Sequence, residues 1–428
     1  MRCFITLLLV ASLVGCSKPT KPPLEGTRID ILPADQLPVQ SDIEFEIPAA
    51  TPMTTWSQLA ANAQHNPGPL TLATPLTRVW QARVRNTGDS LLTIPPIVIG
   101  DLVIALGQGG NVQAHDIENG RLIWQRDLVT GKDQDAAISG GLAALQDTVF
   151  VTTGLDVLQA LSLADGATVW SRTLPAPARA APALDQDQLS IMTLDNQVII
   201  LSAQTGEELW RYAGLSNRIG TLHRAPPSIT NTSIFAAFSA RELTLLSREN
   251  GRLIWSQTLS QGGRTSRTIQ EITGIGAAPI MTEDRIITLG YSGYLTAFDF
   301  RTGNKVWEVP TFGTQTPFIA GDALFVLSAD HLLQAYRLSD GALGWVELLV
   351  PERLRRREQA SWQGPVLAGG GLIITGSDRT IRSIDPTNGE ERWRLHHARP
   401  ILAPPVVARD TLLIMDEGGI LTAYRAGG

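Results

Sequence analysis

Side chains able to do chemistry are thinly spread along this chain of 428 residues. The six histidines, His65, His115, His223, His331, His396 and His397, fall at no spacing that gathers a metal ion, and the adjacent pair 396/397 cannot easily face one. No G-x-S-x-G nucleophile elbow occurs, and "GYSGY" around Ser292 reads as a turn between strands. "GQGGN", Gly107 to Asn111, fits a hairpin turn better than a phosphate-binding loop. The phrase of most chemical promise is "DFRTGNKVW", residues 299–307, which sets an acid, a base and a tryptophan close together. Similar phrases place Asp116 and Asp385 at the same point, so these carboxylates are expected to cap turns rather than to catalyse.

What would position such side chains is a repeat, and it is marked twice. Glycine is followed four residues later by tryptophan at Gly120/Trp124, Gly166/Trp170, Gly206/Trp210, Gly251/Trp255, Gly303/Trp307, Gly341/Trp345 and Gly389/Trp393. Pro96, Pro182, Pro227, Pro279, Pro317 and Pro365 each stand 28 residues before one of these tryptophans, and Leu142 holds that place before Trp170. A fixed length implies internal turns that accept no insertion. "PIMTEDRIITLGYSGYLTAFDFRTGNKVW" divides into four short β-rich runs separated by "TEDR", "SG" and "RTG". Four short antiparallel strands make one blade of a β-propeller. Glycine supplies the positive φ of the last hairpin, and the indole fills the gap to a neighbouring blade.

The ends of the repeat set the blade count. Pro405 starts an eighth unit that stops before its outer strand, while Trp80, in "LTRVWQARV", is a tryptophan strand with no unit before it. Pairing the two closes the ring and removes a split blade edge. The expectation is an all-β fold: an eight-bladed propeller over residues 56–428, its ring closed by an N-terminal strand. Its docking residues are Trp80, Trp124, Trp170, Trp210, Trp255, Trp307, Trp345 and Trp393.

If blades are fixed, length varies only in the connections from each tryptophan to the next blade, and these must leave on one face. The connection from Trp255 to Pro279 takes 24 residues, that from Trp345 to Pro365 takes 20, and that from Trp210 to Pro227 takes 17. Arginine recurs in all three, as Arg218, Arg224, Arg264, Arg267, Arg353, Arg355, Arg356 and Arg357, which suggests a cationic rim for docking. The chain as a whole carries a net charge of -6, with 43% hydrophobic and 18% charged residues. That is the composition of a globular domain without the basic field that holds a nucleic acid.

The N-terminus differs. Arg2 precedes an apolar run over residues 4–14, too short to span a bilayer but suited to a secretory signal, and Gly15 directly before Cys16 makes it a lipoprotein signal. Residues 1–15 are expected to leave and Cys16 to carry acyl chains, anchoring the chain to a membrane without crossing it. Ser17 favours the outer membrane, at its periplasmic face. Residues 16–55 form the lipid-anchored linker and an extended N-terminal segment, beginning with the proline-rich "SKPTKPPLE". Apart from Cys3 and Cys16 the chain has no cysteine, so the folded domain has no disulfide.

The phrase A-x-D-x-x-[TN]-G-x-x-x-W, clearest in "AHDIENGRLIW", "AFDFRTGNKVW" and "SIDPTNGEERW", resembles the tryptophan-docking repeat of pyrroloquinoline-quinone (PQQ) dehydrogenases and their non-enzymatic relatives. The dehydrogenases carry a vicinal disulfide and calcium-ligating acidic and amide residues in the funnel, and a domain without cysteine lacks the first. The lipobox, the short tether and the bare ring are similar to the BamB family, lipoprotein subunits of the outer-membrane β-barrel assembly machinery. That resemblance implies no enzyme and no cofactor or metal. It implies a scaffold that binds the periplasmic domains of BamA and other subunits of the machinery and helps nascent outer-membrane proteins. In that family a Leu/Arg-bearing loop before a blade-starting "AP" contacts BamA; here "TLHRAPP" gives Leu222 and Arg224, with Arg218 beside them. An acidic stretch before the next blade is the second contact, but this chain has Gly274 and Gly276 there and only Glu271 nearby. Two other readings stay open: a PQQ-dependent periplasmic dehydrogenase, and a propeller that binds polysaccharide or cell-wall material.

Overall fold

Each repeat unit pairs within itself before it touches its neighbours. In the unit that ends at Trp307, the strands Ile280–Met281, Arg285–Leu289, Tyr294–Asp299 and Lys305–Pro310 form one antiparallel sheet in chain order, lettered a to d from the ring axis outward. Eight such four-stranded sheets make up the fold, all-β and eight-bladed as the repeat predicts. The computed structural model describes residues 40–85, 94–137, 140–215, 225–239, 241–259, 275–290, 293–349 and 360–427. The predicted signal and Cys16 lie outside them.

Burial explains which residues became strands. Strand b of each blade is covered on both faces by adjacent blades and reads as a nearly unbroken apolar run: every residue of Ala323–Leu327 and of Gly371–Gly376 is buried. Strand d is the edge and is buried only in part, as in Lys305–Pro310, where Trp307 is the one buried residue.

A bulge precedes each tryptophan. In the Trp307 blade the register runs Trp307↔Ala297 and then Lys305↔Phe298, which leaves Val306 as the extra residue. The same shift occurs before Trp80, Trp124, Trp170, Trp210, Trp255, Trp345 and Trp393. A bulge re-aims the next side chain and twists the edge away from pairing partners. It turns the indole towards the neighbouring blade and leaves Val79, Ile123, Val169, Leu209, Ile254 and Val306 exposed on the rim.

The ring closes as expected. Strand Leu76–Arg83 pairs antiparallel with Ile420–Ala426, from Leu76↔Ala426 to Arg83↔Ile420, and becomes strand d of the last blade. The stretch before it has little regular structure, yet it bonds to every blade. In order round the ring, Val98 N–H donates to the Trp56 carbonyl, Ala144 to Ser57, Ile229 to Ala63 and Met281 to Gln64. Between these, the Gln58 amide exchanges two buried 2.8 Å bonds with the backbone of Leu184. Glu46 N–H donates to Asp322, Leu70 N–H to the Leu367 carbonyl, and Arg409 N–H to the Met53 carbonyl. Each innermost strand has an inner edge that no other blade reaches, and in six blades this segment bonds groups on that edge, while at Asp322 and Arg409 it bonds the turn that follows.

Candidate functional site

Strand alternation sorts the connections onto two faces. The a–b and c–d turns lie on one face; the d–a connections and b–c turns lie on the other. The N-terminal segment packs on the first, where Met53 meets Arg409, Ala73 meets Asp410 and Glu46 meets Asp322, all in a–b turns. It floors the ring axis, so the axial cavity opens as a funnel of about 320 Å³ on the d–a face. Trp56, Leu59, Ala60 and His65 line it from the segment, and Pro95, Pro226, Pro317, Pro365 and Pro405 from the beginnings of five of the eight blades.

The funnel has the apolar wall of a ligand site but no acid–base pair. Of its described lining residues only Arg179 and His65 ionise, and none is a carboxylate. Arg179 comes from the connection that follows Trp170, and its Nε is buried without a partner. His65 Nδ1 lies 2.8 Å from the Pro279 carbonyl and 3.0 Å from Ser228 Oγ, and burial lowers its pKa to about 4. His65 is therefore neutral at physiological pH. PQQ needs a hard divalent cation held by carboxylate oxygens, and the described lining supplies amides, Gln315 and Gln363, but no such oxygen. The donor set does not fit that group.

Elsewhere, one buried arrangement has the order of a catalytic relay. His397 Nδ1 is 2.8 Å from the Tyr424 hydroxyl, and Nε2 is 3.4 Å from Asp416. All three are buried, and burial pushes the Tyr424 phenol up to about 12, so it is a poor nucleophile in a place no substrate reaches. Asp378 and Arg382 form a buried 2.7 Å ion pair, with the guanidinium over the Trp362 ring at 4.5 Å. Asp378 also accepts from Thr380 N–H and Oγ1, so this pair fixes a b–c turn. Among the described residues no group of three metal-ligating side chains converges.

The repeated carboxylates sit in turns, as read from sequence. Asp116 accepts from the N–H of Glu118 and Asn119, Asp299 from the N–H and hydroxyl of Thr302, and Asp385 from those of Thr387. These bonds hold the Asp299 carboxyl below its ordinary range, the backbone bond from Thr302 first. The indoles dock from blade to blade. Nε1 of Trp80, Trp124, Trp170, Trp210, Trp255, Trp307 and Trp345 donates to the carbonyl of Ile117, Leu163, Ala203, Arg248, Phe300, Leu338 and Pro386, at 2.7 to 3.1 Å. Each ring stacks on the turn glycine of the next blade. Trp255, not the neighbouring Trp307, covers Gly303. Trp393 faces the blade completed from the N-terminus, which has no c–d hairpin to offer, and it is only partly buried.

The docking positions read from the d–a loops, Arg218, Leu222, Arg224 and Glu271, lie outside the described residues, as does the arginine run 353–357. Their described flanks, Leu215 and Ala225, Leu259 and Ile275, and Leu349 and Ala360, all stand at the d–a end of their blades. Arg179 and the bulges carry no mark in the repeat; only the apolar residue before most of the tryptophans hints at the bulges.

A family model described as outer membrane protein assembly factor BamB matches residues 73–139, 108–347 and 350–428. The chain is 26% identical over 379 residues to the outer membrane protein assembly factor BamB of Burkholderia pseudomallei, covering 85% of this chain and 92% of that one. With its Yersinia pestis counterpart the identity is 24% over 356 residues, covering 81% and 88%. Among solved structures, BamB from Moraxella catarrhalis superposes with a TM-score of 0.69 at 18% identity, over 82% of this chain and 100% of that one. A quinohemoprotein alcohol dehydrogenase from Comamonas testosteroni reaches 0.68 at 12% identity, over 89% and 81%. Likeness at such identity shows the shared ring alone.

Proposed function

Because the chain belongs to the family of the outer membrane protein assembly factor BamB, we propose that it is a non-catalytic lipoprotein scaffold of the machinery that folds and inserts outer-membrane β-barrel proteins. In this reading it sits at the periplasmic face of the outer membrane, held by lipid on Cys16, and binds the periplasmic domains of BamA, other subunits and nascent barrel proteins. The observation that carries the proposal is the match of the family model along nearly the whole ring. Two further points support it: the arginine-bearing connections leave on one face, and the funnel there holds no acid–base pair among its described residues.

Leu222 and Arg224 are assigned as the BamA anchors, with Arg218 and Glu271 beside them. Truncating an anchor at the centre of an interface costs about 2 kcal/mol or more, roughly thirtyfold in affinity. Changing both Leu222→Glu and Arg224→Glu is expected to reduce BamA recovered by co-purification by at least that factor. Undiminished recovery would remove these residues from the contact. Cys16→Ser is expected to release the protein from the membrane fraction, and continued pelleting would contradict the lipid anchor.

A further inference from the structure

Among the described residues the funnel holds one full charge with nothing to answer it. Among the described residues Arg179 has no hydrogen-bond or ionic partner, its Nε is buried, and no carboxylate stands in the described lining. A guanidinium N–H buried without an acceptor costs free energy that a ligand acceptor would recover. A carboxylate is its natural partner, because two of its oxygens match the planar fork of the guanidinium. The rest of the wall is apolar or neutral: Trp56, Leu59, Phe318, the blade-starting prolines, and the amides of Gln315 and Gln363. The cavity of about 320 Å³ is at the small end of ligand pockets.

We infer that the funnel binds an organic monocarboxylate with a compact apolar body, its carboxylate paired with Arg179 and its body against Trp56 and the proline ring. The preference for a single charge follows from counting. A second or third carboxylate would be desolvated with no further cation and no metal-ligating oxygen in the described wall. His65 cannot supply the missing charge at neutral pH, since burial keeps it neutral. The site is independent of the assembly role: the inference stands or falls on Arg179, whatever partner docks on the surrounding loops.

The test is calorimetric titration of the full-length protein in detergent micelles with N-acetylphenylalanine, its uncharged amide, and PQQ as a tricarboxylate. Arg179→Gln in the same micelles is the reference that subtracts partitioning into detergent. The acid is expected to bind with a submillimolar Kd, the amide about ten- to a hundredfold more weakly, and the Arg179→Gln protein to lose the acid by a similar factor at unchanged Tm. Arg179→Lys, which keeps the charge but not the fork, should fall between. Acid and amide binding alike, wild-type affinity in Arg179→Gln, PQQ binding more tightly than the acid, or no binding of the acid at millimolar concentration would each overturn the assignment.

Discussion

Gly303 meets two constraints at once, and they can be separated. Its φ is +71°, and a Cβ there would lie 2.5 Å from the Trp255 ring, so an alanine must both adopt the left-handed region and displace a docked indole. Gly68 has nearly the same φ, +72°, with nothing within 4 Å of the added carbon. Gly68→Ala is therefore expected to cost about 1 kcal/mol and Gly303→Ala about 2–4 kcal/mol, read as shifts of the urea midpoint. Equal costs would mean that the indole yields freely. His65 gives the pH counterpart. Its folded pKa is about 4 against an unfolded value of 6.5, so between those pH values only the unfolded chain takes the proton. Stability is then full above pH 6.5, falls as pH drops to 4, and levels below, by about 3 kcal/mol in all. His65→Asn loses the titration, and its urea midpoint should change less between pH 7.5 and 5 than that of the parent. An unchanged acid slope would place the titration elsewhere.

At the scale of the strand, the outer edge does two jobs. It ends the blade's ladder and, through the bulge, delivers an indole to the next blade; at Trp80 it also closes the ring. Trp80 is buried, donates to the Ile117 carbonyl at 2.9 Å and covers Gly120, whereas the partly buried Trp393 has no turn glycine to cover. Trp80→Ala is expected to destabilise by about 3–5 kcal/mol and Trp393→Ala by visibly less. The readout is the thermal midpoint together with protease sensitivity of the 76–83 strand, and a larger effect at Trp393 would contradict the docking account. The repeat was legible because each blade needs a glycine and a tryptophan at fixed spacing, and closure because one unit lacks a strand that the other end supplies. The floor of the funnel was not legible. Residues 46–73 reach the eight blades mostly through backbone groups, which leave no side-chain pattern; the side chains of Gln58, Gln64 and His65 that also reach them follow no repeat. Arg179 was missed for a related reason: it lies in a connection of variable length, where no spacing marks it. The loop positions Leu222 and Arg224 came from resemblance, and the cationic rim from composition alone.

The propeller is a ring with two unlike faces. One is floored by the N-terminal segment and carries short a–b and c–d turns; the other opens the funnel and sends out every long connection. The proposed scaffold role requires the two faces to respond differently to obstruction, and the same blade offers a matched pair of sites. Leu215 is 67% exposed at the d–a end of the blade that ends at Trp210, and the Asp187 side chain is 82% exposed in its a–b turn. Neither side chain packs in the core, and the ring has no cysteine of its own, so a single introduced thiol can be labelled selectively. Leu215→Cys carrying a polyethylene glycol chain of about 5 kDa should prevent co-purification with BamA, because a polymer there shields the loop that bears Leu222 and Arg224. Asp187→Cys with the same polymer should leave co-purification intact while adding the same bulk to the same blade. Unlabelled Leu215→Cys controls for the substitution itself. If the Asp187 conjugate blocks and the Leu215 conjugate does not, the partner docks on the floored face, and the d–a loops lose their claim to the contact.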